Sequence, residues 1–207
     1  MPLTLRALAL TAAALALPVL PAQAELLSTF DTGLEGWTGL GGSVSHAAGG
    51  YLLQQDTQST WMSVVAPAAF HGDLSAYLGG TLSFDGRNMD GAAADLASGP
   101  WFGKVTITGP GGSAWRQVAG VGPGQPPVNG GWQTYAAALD ASGWTGNLGA
   151  ALANVTSMTV SLEFNDEVAE LAGFDNFRVS AVPEPGSWAL MLAGAGLLGS
   201  LVRRRVT

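Results

Sequence analysis

The chain has 207 residues, a formal net charge of -7, 30 glycines and no cysteine. Without cysteine, disulfides, thiolate metal sites and cysteine nucleophiles are excluded. Only 11% of the residues are charged, a composition that favours short strands and many turns over helices with charged surfaces.

The charge of the central region argues against a nucleic-acid partner. Between Glu25 and Ala181 the chain carries 14 acidic and four basic residues. A surface of this sign repels phosphate backbones. It suits divalent cations or neutral polymers.

The first 24 residues have the organisation of a signal peptide. Arg6 gives a positive start, residues 7–17 form an apolar stretch, and Ala22 and Ala24 provide the small residues before a cleavage site. We expect signal peptidase to cut after Ala24, so that the mature chain is exported. The alternative, an N-terminal membrane anchor, is disfavoured because the apolar stretch is too short.

Alternating apolar and polar residues predict several short strands in the central region. The clearest case is residues 158–164, where every second residue is apolar. This pattern predicts a half-buried strand with Ser161 and Glu163 on its solvent face. Weaker alternation predicts strands at residues 81–84, 104–108 and 177–180.

Turns and one helix complete the predicted elements. Residues 108–112, with the sequence Thr-Gly-Pro-Gly-Gly, predict a turn, and residues 147–153 predict a short helix. Many short strands separated by turns are typical of an all-β sandwich.

No sequence pattern indicates an enzyme active site. His46 and His71 lie in Gly- and Ala-rich contexts, so the zinc and catalytic-triad patterns fail, and both are interpreted as surface or turn residues. The glycine-rich residues 120–124 lack the Lys-Ser/Thr of a phosphate loop and are interpreted as a plain loop. The glycosylation-like residues 154–156 lead into the predicted strand and are discounted. We expect a protein that is not an enzyme.

Six tryptophans lie in the central region, at positions 37, 61, 101, 115, 132 and 144. Buried indoles would fill the core, whereas exposed ones would stack on sugar rings. We expect most of them in the core. Trp101 and Trp115 lie near Gly/Pro-rich loops and are the candidates for a ligand platform.

The C-terminal segment has three parts in a fixed order. Pro183, Glu184 and Pro185 precede an apolar run over residues 188–202, and Arg203, Arg204 and Arg205 follow it. About 15 helical residues span roughly 22 Å, less than a hydrocarbon core of about 30 Å. The run is therefore predicted to be a short transmembrane helix with its arginines on the cytoplasmic side. The alternative is a simple tail anchor with a proline-rich linker.

This segment resembles the PEP-CTERM sorting signal, which consists of a Pro-Glu-Pro box, a short transmembrane helix and a basic cluster. The resemblance implies that Pro183, Glu184 and Pro185 are the recognition box and that an exosortase, a cysteine-dependent membrane enzyme, is a partner. It also implies an inner-membrane precursor in a Gram-negative bacterium, whose processed form reaches the cell surface. Bacteria of this kind usually make exopolysaccharide.

The central region resembles the laminin B domain, also called laminin IV type A, and its start resembles bacterial jelly-roll modules. The segments that carry the resemblance are, in chain order, residues 30–37, 61–67, 72–84, 105–109, 132–135, 144, 152–156 and 171–177. It implies an all-β jelly-roll β-sandwich over residues 25–181, similar to carbohydrate-binding modules. The predicted domains are thus the signal peptide (1–24), this sandwich (25–181) and the sorting signal (182–207).

Two functions are compatible with these features. The favoured one is a structural or adhesive role in the extracellular matrix or biofilm, with a matrix protein or polysaccharide as a possible partner. The alternative is a carbohydrate-binding module for exopolysaccharide, which predicts two or more exposed aromatic side chains on one sheet face.

A structural calcium ion is the single cofactor that the resemblance suggests. Related jelly rolls often join their terminal strands with calcium, which implies Asp31 and Asp175 as ligands here. The alternative is that both residues make or cap turns. A weaker calcium candidate is the segment with Asp85, Asn88, Asp90 and Asp95, whose spacing departs from the EF-hand loop.

Overall fold

The computed structural model describes residues 24–56, 61–89, 101–120, 125–165 and 169–182. Gln23–Pro183 form one compact unit. Among the described residues, no helix is long and apolar enough to cross a membrane.

Several predicted features lie outside the described residues. They are Ala22 of the signal peptide, the Pro-Glu-Pro box, the C-terminal apolar run, the three terminal arginines, Asp90, Asp95 and residues 121–124 of the glycine-rich loop.

The described residues form twelve strands and one α-helix. The strands are β1 (Leu26–Ser28), β2 (Thr38–Leu40), β3 (Ser43–Ala47), β4 (Tyr51–Gln55), β5 (Ser63–Val65), β6 (Thr81–Asn88), β7 (Lys104–Gly109), β8 (Gly112–Gln117), β9 (Gln133–Ala138), β10 (Thr145–Gly146), β11 (Ser157–Ser161) and β12 (Leu171–Ser180). Helix α1 (Leu148–Leu152) lies between β10 and β11, and 3-10 turns occupy Ala68–Phe70 and Ser75–Tyr77.

The strands pair into two antiparallel sheets of six strands each. The first sheet has the order β3-β4-β12-β6-β9, with β1 also paired to β12, and the second has the order β10-β8-β7-β11-β5-β2. This architecture confirms the predicted all-β jelly-roll sandwich.

Alternating residues of both sheets build the core between them. In β7, Val105 and Ile107 are fully buried while Lys104 and Thr106 point outward. Trp37 lies at the centre of an aromatic cluster, and its ring centroid is 5.0 Å from that of Phe177. Its indole N–H donates to Ser28 Oγ over 2.9 Å, which satisfies the polar atom of a buried tryptophan.

The strand predicted at residues 158–164 is half correct. Its apolar residues Met158, Val160, Leu162 and Phe164 are all buried. The predicted solvent face is wrong at Glu163, which is buried with 1% exposure; Ser161 lies on the outer face as predicted, yet it is only 7% exposed. Strand β11 ends at Ser161, and beyond it the Glu163 carboxylate accepts a hydrogen bond of 2.8 Å from the backbone N–H of Met62.

The predicted helix and turn are both present. Helix α1 lies within the predicted range, and Asn147 caps it by accepting a 3.0 Å hydrogen bond from the N–H of Ala150. The predicted turn joins β7 to β8, where Gly109 pairs with Gly112 across a two-residue loop.

Candidate functional site

A pocket of about 180 Å³ opens on the outer face of the second sheet. Its floor is lined by the hydroxyl side chains of Ser63, Thr106, Thr159 and Ser161, which come from the adjacent strands β5, β7 and β11. Trp61, Trp101 and Lys104 complete the lining.

Strand alternation explains why the floor is polar. Because Val105 and Val160 face the core, their neighbours Thr106 and Thr159 face outward, and these two residues are register partners. Ser63 and Ser161 are partners between β5 and β11. The outer face is therefore a row of hydroxyls across three strands.

A tight turn places Trp101 beside Lys104. The N–H of Lys104 donates to the carbonyl of Trp101 over 3.0 Å, and Gly103 has a φ of 78°, which glycine adopts without strain. Phe102, in the middle of the turn, is fully buried and stacks on Phe164 with 4.6 Å between ring centroids. The buried phenyl ring thus anchors a turn whose tryptophan is half-buried at the surface.

Lys104 joins the two predicted platform tryptophans. Its Nζ lies 4.4 Å from the ring centroid of Trp101 and 4.6 Å from that of Trp115, distances at which a cation is attracted to an aromatic face. Trp115 reaches this position because it is the register partner of Thr106 on β8. The structure therefore brings Trp101 and Trp115 together; that they bind a ligand stays a prediction.

Trp61 belongs to the same cluster and was missed by the sequence reasoning. It is 52% exposed, and its ring centroid lies 4.9 Å from that of Trp101 at an interplanar angle of 37°. The signal available in the sequence was alternation, since buried Met62 and Val64 place Trp61 and Ser63 outward. We call Trp61, Trp101 and Trp115 the tryptophan platform.

The expectation that most tryptophans fill the core is wrong. Among the six, Trp37 and Trp144 are buried. Trp132 is 37% exposed on the first sheet, where its ring centroid lies 5.1 Å from that of Tyr51. The other four tryptophans lie on the outer faces of the two sheets.

The predicted calcium ligands Asp31 and Asp175 lie in one acidic region. The pKa of Asp175 is raised to about 6, mainly by burial; the N–H of Asn176 lowers it by a smaller amount, and repulsion by Asp85, Asp31 and Glu35 adds to the rise. Asp31 is exposed and accepts a 2.7 Å hydrogen bond from Thr29 Oγ1.

The oxygen donors of this region do not form a complete metal site by themselves. Within the described ranges, no group of three or more His, Cys, Asp or Glu side chains is placed to hold a metal ion. Calcium prefers six to eight oxygen ligands, so an ion between Asp31 and Asp175 needs carbonyl or water oxygens in addition. Calcium binding stays a prediction.

Two residues of the weaker calcium candidate lie in a strand, and the other two, Asp90 and Asp95, lie outside the described residues. Asp85 and Asn88 belong to β6, and Asn88 is fully buried. Asp85 accepts a 2.8 Å hydrogen bond from the side-chain amide of Asn176 on β12.

The two histidines lie apart from the platform. His46 is exposed on β3, and its Nε2 is 2.6 Å from the carbonyl oxygen of Phe30. His71 is half-buried after a 3-10 turn.

Comparison with protein families identifies the C-terminal segment. Residues 181–206 match the model of the PEP-CTERM protein-sorting motif. This confirms the predicted sorting tail and marks the protein as exported and sorted through the membrane by an exosortase. No curated protein matches the chain.

Solved structures share the fold of the sandwich. The L4b domain of human laminin alpha-2 is 9% identical with a TM-score of 0.56, covering 76% of this chain and 98% of the laminin domain. An agarase is 15% identical with a TM-score of 0.50, covering 78% of this chain and 25% of the enzyme. A family 11 carbohydrate-binding module of a cellulosomal cellulase of Clostridium thermocellum is 15% identical with a TM-score of 0.47, covering 79% and 98% of the two chains. The chain spans about a quarter of the agarase. At these low identities, the laminin domain and the agarase show a shared fold alone.

Proposed function

We propose that this protein is an exosortase substrate displayed at the cell surface or in the biofilm matrix, where its sandwich adheres to extracellular polysaccharide. The sorting motif supports the export and the exosortase partner. The single observation that carries the adhesive role is the tryptophan platform beside a pocket lined with hydroxyls.

The chemistry of the platform suits sugars. Indole faces pack against the apolar face of a pyranose ring, while hydroxyl side chains exchange hydrogen bonds with sugar hydroxyls. Exposed aromatic side chains grouped on one face usually mark a binding surface. The pocket is smaller than the roughly 300–1,000 Å³ of sites for drug-sized ligands, so it accommodates one ring while the polymer continues along the sheet.

The platform provides binding groups rather than catalytic ones. Glycoside hydrolysis needs two carboxyl groups about 5–10 Å apart across the scissile bond. The described residues that line the pocket include no Asp or Glu. We therefore propose adhesion without cleavage at this face.

Glycan binding by the purified exported protein tests the adhesive role. We expect binding to one or more polysaccharides, including the exopolysaccharide of the producing cells, and a loss of about tenfold or more in Trp101→Ala or Trp115→Ala, as for other tryptophans at the centre of an interface. Trp132→Ala is the matched control, because it removes a partly exposed indole from the opposite sheet.

Two outcomes contradict this proposal. If only Trp132→Ala lowers the affinity, the binding face is the first sheet. If no polysaccharide binds, the adhesive role to glycans is rejected and a structural role without a sugar ligand remains.

Processing of the tail is tested by intact-mass analysis of the surface protein. We expect a chain that ends near residues 183–186. Glu184→Ala, or removal of the three terminal arginines, should leave uncleaved precursor in the inner membrane, whereas Ser187→Ala, next to the box, is the control. A surface protein that retains residues 187–207 rejects processing.

A further inference from the structure

The pocket beside the tryptophan platform contains a positive charge. Among the described residues, Lys104 is the single charged one that lines the pocket, and it is the only lysine of the sequence. Resting on the proposed function, we infer that the platform selects an anionic polysaccharide, with the Lys104 ammonium group binding a carboxylate or sulfate of the sugar.

Lys104 differs from the other basic residues of the sandwich in its partners. Arg178 forms an ion pair of 3.4 Å with Glu25. Arg87 donates to the carbonyl of Gly130 over 2.8 Å. No carboxylate of the described residues forms an ion pair with Lys104.

The remaining basic residue is also engaged elsewhere. Arg116 donates to the carbonyl of Ser142 over 2.9 Å, and its charge contributes, after the hydrogen bonds from Ser142, to the lowered pKa of Asp140. Within the described part of the domain, Arg178 is thus ion-paired and Arg87 and Arg116 bind backbone carbonyls, whereas the Lys104 ammonium group contacts two indole rings at the pocket.

The two indoles hold the ammonium group in place without neutralising it. Contacts with the faces of Trp101 and Trp115 restrict the flexible lysine side chain. The ammonium group has three N–H donors. An aromatic face has no lone pair that accepts them, so the donors remain available for an anion. A charge fixed in this way loses little conformational freedom when an anion binds, which favours affinity.

The surroundings of Lys104 complete a site for an anionic sugar. The hydroxyls of Ser63, Thr106 and Thr159 lie in the same pocket and can donate to further sugar oxygens, whereas that of Ser161 donates to the carbonyl of Met62 over 3.4 Å. Repulsion by the other acidic groups of the domain is screened beyond about 8 Å at physiological ionic strength. Among the described residues that line the pocket, the Lys104 ammonium group is the only charge.

Matched polysaccharides test this inference with the purified exported protein. Polygalacturonate and its methyl ester share a backbone and differ in the carboxylate, and carrageenan and chemically desulfated carrageenan share a galactan backbone and differ in the sulfate. We expect at least a tenfold preference for the charged member of one pair, and the pair that shows it identifies the anion as carboxylate or sulfate. Raising the salt concentration should weaken binding of the charged polymer and leave binding of the neutral one unchanged.

Two substitutions at one position separate charge from packing. Lys104→Gln should lower the affinity for the charged polymer at least tenfold more than the affinity for the neutral one, and Lys104→Arg should retain the preference. Reductive ¹³C-methylation provides a direct readout, because the α-amine and Lys104 are the only amines that it labels. The Lys104 signal should shift with the charged polymer.

The possible failures are distinguishable. Equal binding of both members of each pair, or a preference that survives Lys104→Gln, overturns the anionic specificity while adhesion through the tryptophans stands. Absence of binding to all four polymers and to the producer's own polysaccharide overturns both.

Discussion

Replacing Asp175 with asparagine should stabilise the protein at neutral pH and leave its stability in acid unchanged. Asp175 lies half-buried in β12, and burial is the main reason why its pKa rises from 3.8 to about 6. Asparagine keeps an oxygen that can accept the 2.7 Å hydrogen bond from the N–H of Asn176. The substitution therefore removes the charge and preserves the main contact.

The sign follows from proton linkage. The folded state binds the proton of Asp175 more tightly than the unfolded state does. This carboxyl therefore lowers the free energy of unfolding least below about pH 3.8. Stability is lost as the pH rises from 3.8 to about 6, and the full cost is present above that range. At 1.36 kcal/mol per pH unit the upper bound is about 3 kcal/mol. Solvent at this partly exposed carboxyl reduces the expected gain to about 1–2 kcal/mol.

The assay is urea unfolding of both proteins in EDTA between pH 4 and 8, and the measured quantity is the difference between their free energies of unfolding. Asp73→Asn is a control of opposite sign, because hydrogen bonds from the side chain and backbone of Ser75 lower the pKa of Asp73. That variant should lose stability at neutral pH. A difference for Asp175→Asn that does not change with pH, or a variant less stable than wild type at pH 7, refutes the reasoning.

Three further results are expected. Gly103→Ala should lower stability by about 1–3 kcal/mol and weaken glycan binding, because φ is positive there and a Cβ would lie 2.6 Å from Ala119 Cβ; thermal melts and binding assays measure both effects. Glu163→Ala should cost about 1–3 kcal/mol in denaturant unfolding, since the buried N–H of Met62 loses its acceptor; an unchanged midpoint contradicts this. Millimolar calcium should raise the melting temperature of wild type and not that of Asp175→Asn, and an equal rise in both excludes Asp175 as a ligand.

The sequence predicted the elements better than it predicted the site. Alternation identified the strand over residues 104–108, because a strand places successive residues on opposite faces. It failed at Glu163, because β11 ends at Ser161 and the Glu163 carboxylate accepts a hydrogen bond from the Met62 N–H.

Which tryptophans form the platform depends on strand order, and local sequence patterns do not reveal strand order. Trp61 and Trp101 are distant in sequence and meet because β5 and β7 both flank β11. Proximity to Gly/Pro-rich loops correctly indicated that Trp101 and Trp115 are not core residues. The position of Lys104 between their rings required the turn at Gly103, which a sequence pattern does not reveal.

Strand β12 has ten residues and pairs with β1, β4 and β6. Strand β12, in the middle of the first sheet, is therefore synthesised after the strands with which it pairs. Contacts so distant along the chain slow folding. The first sheet therefore lacks its central strand until residues 171–180 are available, so a chain that ends before β12 leaves β1, β4 and β6 without their common partner.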